Sequence, residues 1–216
     1  MILVASSNKH KIDCVRKVWP DCNVIGTTNL TSMNKLVGGF EGPKWDSRFD
    51  INQIEITANL RAHYLKEQFL TDASLEALVV IESGLYADFE YCARDISEIT
   101  LCQMYIKCTE QTSGYHGEHC IKETVYSDKF TIDKEDIRDI YRKTKQTFDS
   151  NVDISFGQIV ENITGEPVPN KDVPFMLTNG KVSRYSLITD ALYHLKVKLF
   201  TSRFQVNTNA QKICLP

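Results

Sequence analysis

The sequence lacks a long apolar run and lacks a strong excess of either charge. Across 216 residues, no stretch approaches the roughly 20 apolar residues that a helix needs to span a bilayer. The 25 Lys and Arg residues face 28 Asp and Glu residues, for a formal net charge of -3, which argues against a broad basic surface for nucleic acid or anionic lipid. We therefore expect a soluble protein with neither nucleic-acid nor membrane partners.

Paired cysteines are also missing. The 7 cysteines are odd in number and scattered, and the absence of Cys-x-x-Cys spacing fits reduced thiols in a cytoplasmic compartment. The apolar opening Met1–Ala5 is shorter than the core of a secretory signal and is predicted to be a strand. We expect one domain over residues 1–200 and a tail over residues 201–216.

Short apolar runs alternate with amphipathic helical patterns along the chain. Strands are predicted at Met1–Ser6, Asn23–Thr28, Ala77–Glu82, Leu85–Phe89, Glu98–Cys108, Ile121–Tyr126, Ile154–Gly165 and Val173–Thr178. Helices are predicted from Ile12 to Pro20 and over Ile51–Phe69, Asp133–Phe148 and Ser186–Phe200. Residues 29–50 are predicted to form a long loop. Together the pattern predicts an α/β fold with a mixed central sheet flanked by helices.

Small polar residues followed by lysines occupy the first strand-to-helix turn. Ser6, Ser7 and Asn8 precede Lys11, at the point where the first helix is predicted to begin. Free backbone N–H groups and a partial positive charge at a helix N-terminus suit phosphate, and a lysine adds a full charge. An ordinary capped helix start explains the same residues. The glycines of a P-loop are absent.

A carboxylate, Glu82, ends the apolar run Val79–Ile81. Burying a carboxylate at a strand end is costly unless it meets a cation, and ligands of α/β sheets gather at the carboxyl ends of strands. A metal or substrate site is one interpretation. A glutamate that emerges into solvent is the other.

Two further segments carry polar clusters. Asn179-Gly180 is predicted to be a tight hairpin turn, and Lys181 and Arg184 follow it. An arginine there can clamp a phosphate or stack on a base, and ordinary surface cations near a turn are the alternative. Residue types that bind zinc occur at Cys108, His116, His119 and Cys120, but their spacing matches no recognised zinc site. Incidental histidines on a polar hairpin are therefore favoured over a metal site. No Gly-x-Ser-x-Gly segment supports a serine nucleophile.

Three of these segments together resemble the inosine/xanthosine triphosphatase family. Val4–Ile12 is similar to the family's opening Ala-Ser/Thr-Thr-Asn-x-x-Lys-Ile, Val80–Gly84 to its Gly-Ile-Glu-Gly-Gly, and Phe175–Arg184 to its Gly-Ile-Leu-Thr-Asn-Gly-x-Val-Thr-Arg. Ser155–Gly157 with Gly165 also resembles a Leu-Gly…Gly segment of the family. The resemblance runs from residue 4 to about residue 200.

The resemblance implies an elongated α/β fold with a nucleotide cleft, a homodimer, and hydrolysis of ITP and XTP with Mg²⁺ or Mn²⁺. The site residues that we carry over are grouped by role. The catalytic group is Glu82, Lys11 and Glu55, with Glu82 and Glu55 also as metal ligands. The substrate-binding group is Ser6, Ser7, Asn8, Lys11, Arg61, Ser83, Lys181 and Arg184.

One departure from the family motivates a second hypothesis. Ala58–Ala62 keeps the Ala and Arg of the family's Gly-Ala-x-x-Arg-Ala segment, but the paired acids that precede it align with Asn52 and Gln53. Amides bind Mg²⁺ less strongly than carboxylates, because the hard cation favours charged oxygen. The alternative is therefore a nucleotide-binding or structural protein of the same fold without catalytic activity.

Overall fold

The computed structural model describes residues 1–27, 51–87, 96–107, 120–131 and 172–209, together with residues 161, 165, 167 and 168. The strands in this part of the chain are β1 (Ile2–Val4), β2 (Val24–Gly26), β3 (Ala77–Ala87), β4 (Ile96–Lys107), β5 (Cys120–Tyr126) and β6 (Phe130–Thr131). The helices there are α1 (Lys9–Val18), α2 (Ile51–Thr71), α3 (Val173–Leu177) and α4 (Arg184–Asn209).

The strands form one mixed sheet in the order β2-β1-β3-β4-β5, with β6 paired to β4. β1 is parallel to β2 and β3, whereas β4 is antiparallel to β3, β5 and β6. The α/β class with a mixed central sheet flanked by helices is confirmed.

β3 continues well past the end of β1. The parallel pairing ends at Val4 and Val79, while β3 remains paired with β4 as far as Ala87 opposite Ile96. The predicted break between two strands near Gly84 is therefore wrong, and Glu82 lies inside a strand. Glu82 nevertheless lies just beyond the end of β1, at the carboxyl edge of the parallel part of the sheet.

The two faces of the sheet carry separate apolar cores. Val79 and Ile81 point into a cluster with α1 and α4, while Leu78 and Val80 point into a cluster with α2. This alternation follows from the period of two along a strand. Burying both faces explains why β3 reads as a continuous apolar run. The fold thereby holds α1 and α4 on one face of the sheet and α2 on the other.

Residues 173–177 of the predicted strand Val173–Thr178 form a helix instead. The Asp172 side chain accepts a hydrogen bond from the Phe175 N–H at 3.1 Å, and Pro174 lies in the first turn of α3. Both features favour a helix start. A short apolar run does not by itself distinguish a strand from a helix. The Asn179-Gly180 turn is present, with positive φ at both residues, but it joins two helices and is not a hairpin.

The last helix is longer than predicted. α4 continues to Asn209, past the predicted end at Phe200, so helical backbone extends into the residues expected to form a tail. The predicted loop 29–50, the helix 133–148, and His116 and His119 lie outside the described residues, as does nearly all of the predicted strand 154–165. Among the residues described, no helix is long and apolar enough to cross a membrane.

Candidate functional site

The turn from β1 into α1 is stabilised by its own polar side chains. Asn8 caps α1 by accepting a hydrogen bond from the His10 N–H at 2.9 Å, and the Ser6 hydroxyl accepts one from the Asn8 N–H at 3.1 Å. Gly26 at the end of β2 lies against this turn, because a Cβ there would come within 2.6 Å of the Ser6 carbonyl oxygen. The ordinary capped helix start is thus present, and Ser7 is exposed beside it.

Lys11 reaches from α1 to β3 at the point where β1 stops. Ala5 N–H donates to the Val79 carbonyl at 2.8 Å, and the next carbonyl on that edge of β3, that of Ile81, accepts from Lys11 Nζ at 2.6 Å. Burial lowers the pKa of Lys11; the Glu82 carboxylate opposes this, and Arg61 and Arg184 lower the pKa further. Lys11 is therefore a shielded cation fixed beside Glu82.

Glu82 is held by cations from two different helices. Its Oε2 lies 3.0 Å from Arg61 Nε of α2 and 3.7 Å from Lys11 Nζ of α1, and Arg61 Nη2 approaches Oε1 at 3.5 Å. Arg61 Nε and Glu82 Oε2 are both buried, yet neither makes an aligned hydrogen bond. The pair is thus an ion pair in which a carboxylate oxygen keeps an available lone pair.

Arg184 lies at the start of α4 and is held by two carboxylates. Its Nε is 2.5 Å from Glu98 Oε1, and its backbone N–H donates to Asp172 at 2.8 Å and 3.0 Å. Burial alone would lower the pKa of Arg184, but Glu98 and then Asp172 outweigh it, so the pKa is raised. Arg184 is a permanent cation close enough to Lys11 to affect its titration.

The other predicted site residues occupy different surroundings. The Ser83 hydroxyl lies 2.8 Å from the Thr100 hydroxyl across the β3–β4 pair, and Lys181 is exposed on the turn before α4. Glu55 lies close enough to Tyr126 of β5 to affect its titration: burial raises the pKa of Tyr126, and the Glu55 carboxylate raises it further. The structure groups Lys11 and Arg61 with Glu82, and it places Glu55 with Tyr126.

The chemistry of this group favours an anion together with its counter-cation. The three cations, Lys11, Arg61 and Arg184, are balanced by three acids, Glu82, Glu98 and Asp172. The side chains of the three cations and of Glu82 and Glu98 are largely shielded from water. Positive charge in a shielded site attracts phosphate more strongly than the same charge in water. A local anion site is therefore compatible with the nearly neutral whole chain.

Glu82 would offer a divalent metal one carboxylate, and the other ligands would have to come from a substrate and water. Its buried Oε2 has no hydrogen bond, and Mg²⁺ is often held by one or two carboxylates with phosphate oxygens and water completing the shell. No cluster of three His, Cys, Asp or Glu side chains able to bind a metal occurs among the described residues. The donor set thus suits a metal that a polyphosphate helps to bind.

Sequence reasoning missed Glu98 and Asp172. Glu98 is 2% exposed and occupies a position of β4 that faces α4, in the same alternation as Cys102 and Met104. A charged residue in an inward-facing register was the available signal for Glu98. For Asp172, the signal was an Asp followed two residues later by Pro, a pattern typical of a helix start.

Comparison with known proteins gives limited information. No protein-family model and no curated protein matches the chain. A solved structure of the Ham1 protein from Staphylococcus aureus is similar at 19% identity over 59% of this chain and 70% of that chain, with a TM-score of 0.27.

Proposed function

We propose that the protein hydrolyses purine nucleoside triphosphates, with ITP and XTP as substrates and Mg²⁺ or Mn²⁺ as cofactor. The observation that carries the proposal is the convergence of Lys11 and Arg61 on Glu82 beside the N-terminus of α1, with Arg184 close by. The cations come from three helices on both faces of the sheet. Their convergence has a direct explanation if one polyphosphate is bound there.

The polyphosphate would lie along the turn that begins α1. Ser6, Ser7 and Asn8 would supply hydroxyl and amide groups at a helix N-terminus, and Lys11 and Arg184 would supply charge. Phosphoryl transfer depends mainly on positioning and electrostatic stabilisation. A site of fixed cations is suited to this type of reaction.

Glu82 would hold the metal together with the phosphates. The bound metal would supply charge neutralisation and a more acidic water. Arg61 and Lys11 orient the Glu82 carboxylate through contacts at 3.0 Å and 3.7 Å. Glu55, which lies near Tyr126, is a weaker proposal for a second ligand.

A nucleotide-binding protein without turnover is the second candidate. It is favoured by the exposed amide Asn52, which stands on α2 where the resemblance implies an acid, and by the engagement of Glu82 with two protein cations. Such a protein would be stabilised by ITP without hydrolysing it. Binding of a ligand at 100 times its Kd adds about 2.7 kcal/mol to stability.

A nucleotide panel with and without Mg²⁺ or Mn²⁺ tests the proposal. Glu82→Gln is expected to lower kcat/KM for ITP by about 100-fold or more, because the carboxylate that would hold the metal is replaced by a neutral amide. Glu67→Gln is the matched control, because it makes the same carboxylate-to-amide change at an exposed position on the helix that carries Arg61. This variant should keep wild-type activity.

The outcomes separate the two candidates. Metal-dependent release of phosphate from ITP or XTP supports hydrolysis. A raised melting temperature with ITP but no product supports the binding protein. Lack of both effects across the panel would overturn the nucleotide assignment. The homodimer stays a prediction, and light scattering on the purified protein checks it.

A further inference from the structure

Arg184 is fixed at two points by acidic residues from different parts of the fold. Asp172 binds its backbone N–H with both carboxylate oxygens and also caps α3 through Phe175. Glu98 of β4 binds the side chain at Nε. The same arginine is therefore restrained both at its backbone N–H, where α4 begins, and at its guanidinium group.

Stability alone explains the Glu98 contact poorly. Glu98 is 2% exposed, and its Oε2 is buried without a hydrogen bond. The desolvation of a buried ion pair often cancels its attraction, and apolar residues of similar volume often serve the fold equally well. A buried glutamate that is only half satisfied therefore points to a role in placing its partner.

We propose that Glu98 is a positioning residue that holds the Arg184 guanidinium for a substrate phosphate, with Asp172 fixing the backbone at the same point. This inference rests on the proposed function. Contact at Nε sets the rotation of the planar guanidinium before substrate arrives. A fixed guanidinium binds an anion with less loss of conformational freedom than a mobile one.

Calorimetric titration with ITP and with inorganic tripolyphosphate tests this role. Glu98→Gln is expected to weaken both affinities by about tenfold to a hundredfold, the range for a hydrogen bond to a charged group. Glu123→Gln is the matched control, because Glu123 of β5 pairs with Lys198 of the same helix α4 at 2.9 Å. It should leave both affinities unchanged.

A second pair of variants keeps the test valid if Glu98→Gln alone does not fold. The double variant Glu98→Gln/Arg184→Ala buries neither charge without its partner, and it is compared with Arg184→Ala, in which Glu98 stays buried alone. If Glu98 acts only through Arg184, the two bind tripolyphosphate equally. Guanidinium ion, added below the concentration that lowers the melting temperature, should partly restore affinity to Arg184→Ala but not to the double variant. A merely structural glutamate would not produce that difference.

The results separate this inference from the proposed function. Wild-type protein that binds and hydrolyses ITP, with Glu98→Gln behaving like Glu123→Gln, overturns the positioning role alone. Weaker binding by the double variant than by Arg184→Ala does the same. Wild-type protein that binds neither ITP nor tripolyphosphate overturns the proposed function and this inference together.

Discussion

At the scale of single residues, Lys11 combines a structural contact with a shielded charge. Its ammonium group donates to the Ile81 carbonyl and faces Glu82, Arg61 and Arg184. Because burial lowers its pKa below the ordinary 10.5, Lys11 loses its proton in the folded protein before it would in the unfolded chain. Stability and anion binding should therefore respond to alkaline pH in opposite directions.

We predict that tripolyphosphate affinity falls as pH rises through the lowered pKa of Lys11, because the neutral amine no longer attracts phosphate. Over the window between that pKa and 10.5, the unfolded state binds more protons, so the Lys11 contribution to the free energy of unfolding rises with pH. Titrations and urea denaturation from neutral to alkaline pH measure both effects.

Lys11→Met is the reference for both measurements. The difference in stability between wild-type protein and this variant should change with pH in favour of wild type. The affinity of the variant should be low and nearly independent of pH in the same window. An equal pH response in both proteins would contradict the assignment to Lys11.

At the scale of secondary-structure elements, strong periodicity was predictive and short apolar runs were not. α2 and most of α4 were predicted from three-and-four spacing, which is sustained over many turns. α3 was wrongly predicted to be a strand, because its five mostly apolar residues are compatible with a strand or a helix. The Asp172 cap favours the helix. Local capping, not hydrophobicity, determined that element.

The turn between α3 and α4 depends on one hydroxyl. Thr178 Oγ1 accepts from the Val182 N–H at 2.9 Å and donates to the Pro174 carbonyl at 2.7 Å. We predict that Thr178→Val lowers the free energy of unfolding by about 1–3 kcal/mol, because a partly buried N–H loses its acceptor. Urea denaturation measures the change.

Thr201→Val is the control for that measurement. Thr201 also donates to a carbonyl one helical turn earlier, at 2.8 Å, but it is exposed. The expected effect is within about 0.5 kcal/mol of wild type. Equal losses in the two variants would show that the turn is not held by the Thr178 hydroxyl.

At the scale of the whole molecule, the sheet divides the apolar core into two layers. Ile99 of β4 packs on the α2 side and Ile188 of α4 on the other. We predict that Ile99→Val and Ile188→Val each cost about 0.5–1.5 kcal/mol, and that the double variant costs their sum. Additivity is expected for well-separated sites, and urea denaturation of all four proteins measures it. A deviation above about 0.5 kcal/mol would indicate that the layers are coupled through the sheet.

Which side chains come together in the candidate site could be predicted from the sequence only in part. Lys11, Glu82 and Arg184 were singled out from strand ends and turns, and Arg61 entered through the resemblance. Glu98 and Asp172 could not be assigned, because their partner lies 86 and 12 residues away along the chain. The packing of α4 on β4 brings Glu98 to Arg184, and the Asp172 cap of α3 brings Asp172 to it. Ion pairs between distant segments follow from topology, which local patterns do not encode.

Within the part of the chain that the structure describes, no strand pairs with the β1-facing edge of β3 past Val79, which has a consequence for self-association. A strand without a neighbour offers N–H and C=O groups to any other extended chain, and natural proteins often guard such borders with lysine. Lys11 Nζ donates a hydrogen bond to the Ile81 carbonyl, the first on that edge of β3 past the end of β1. The same ammonium group that is proposed to attract phosphate therefore also discourages a second molecule from adding a strand, so substitutions chosen to test binding should be monitored for self-association.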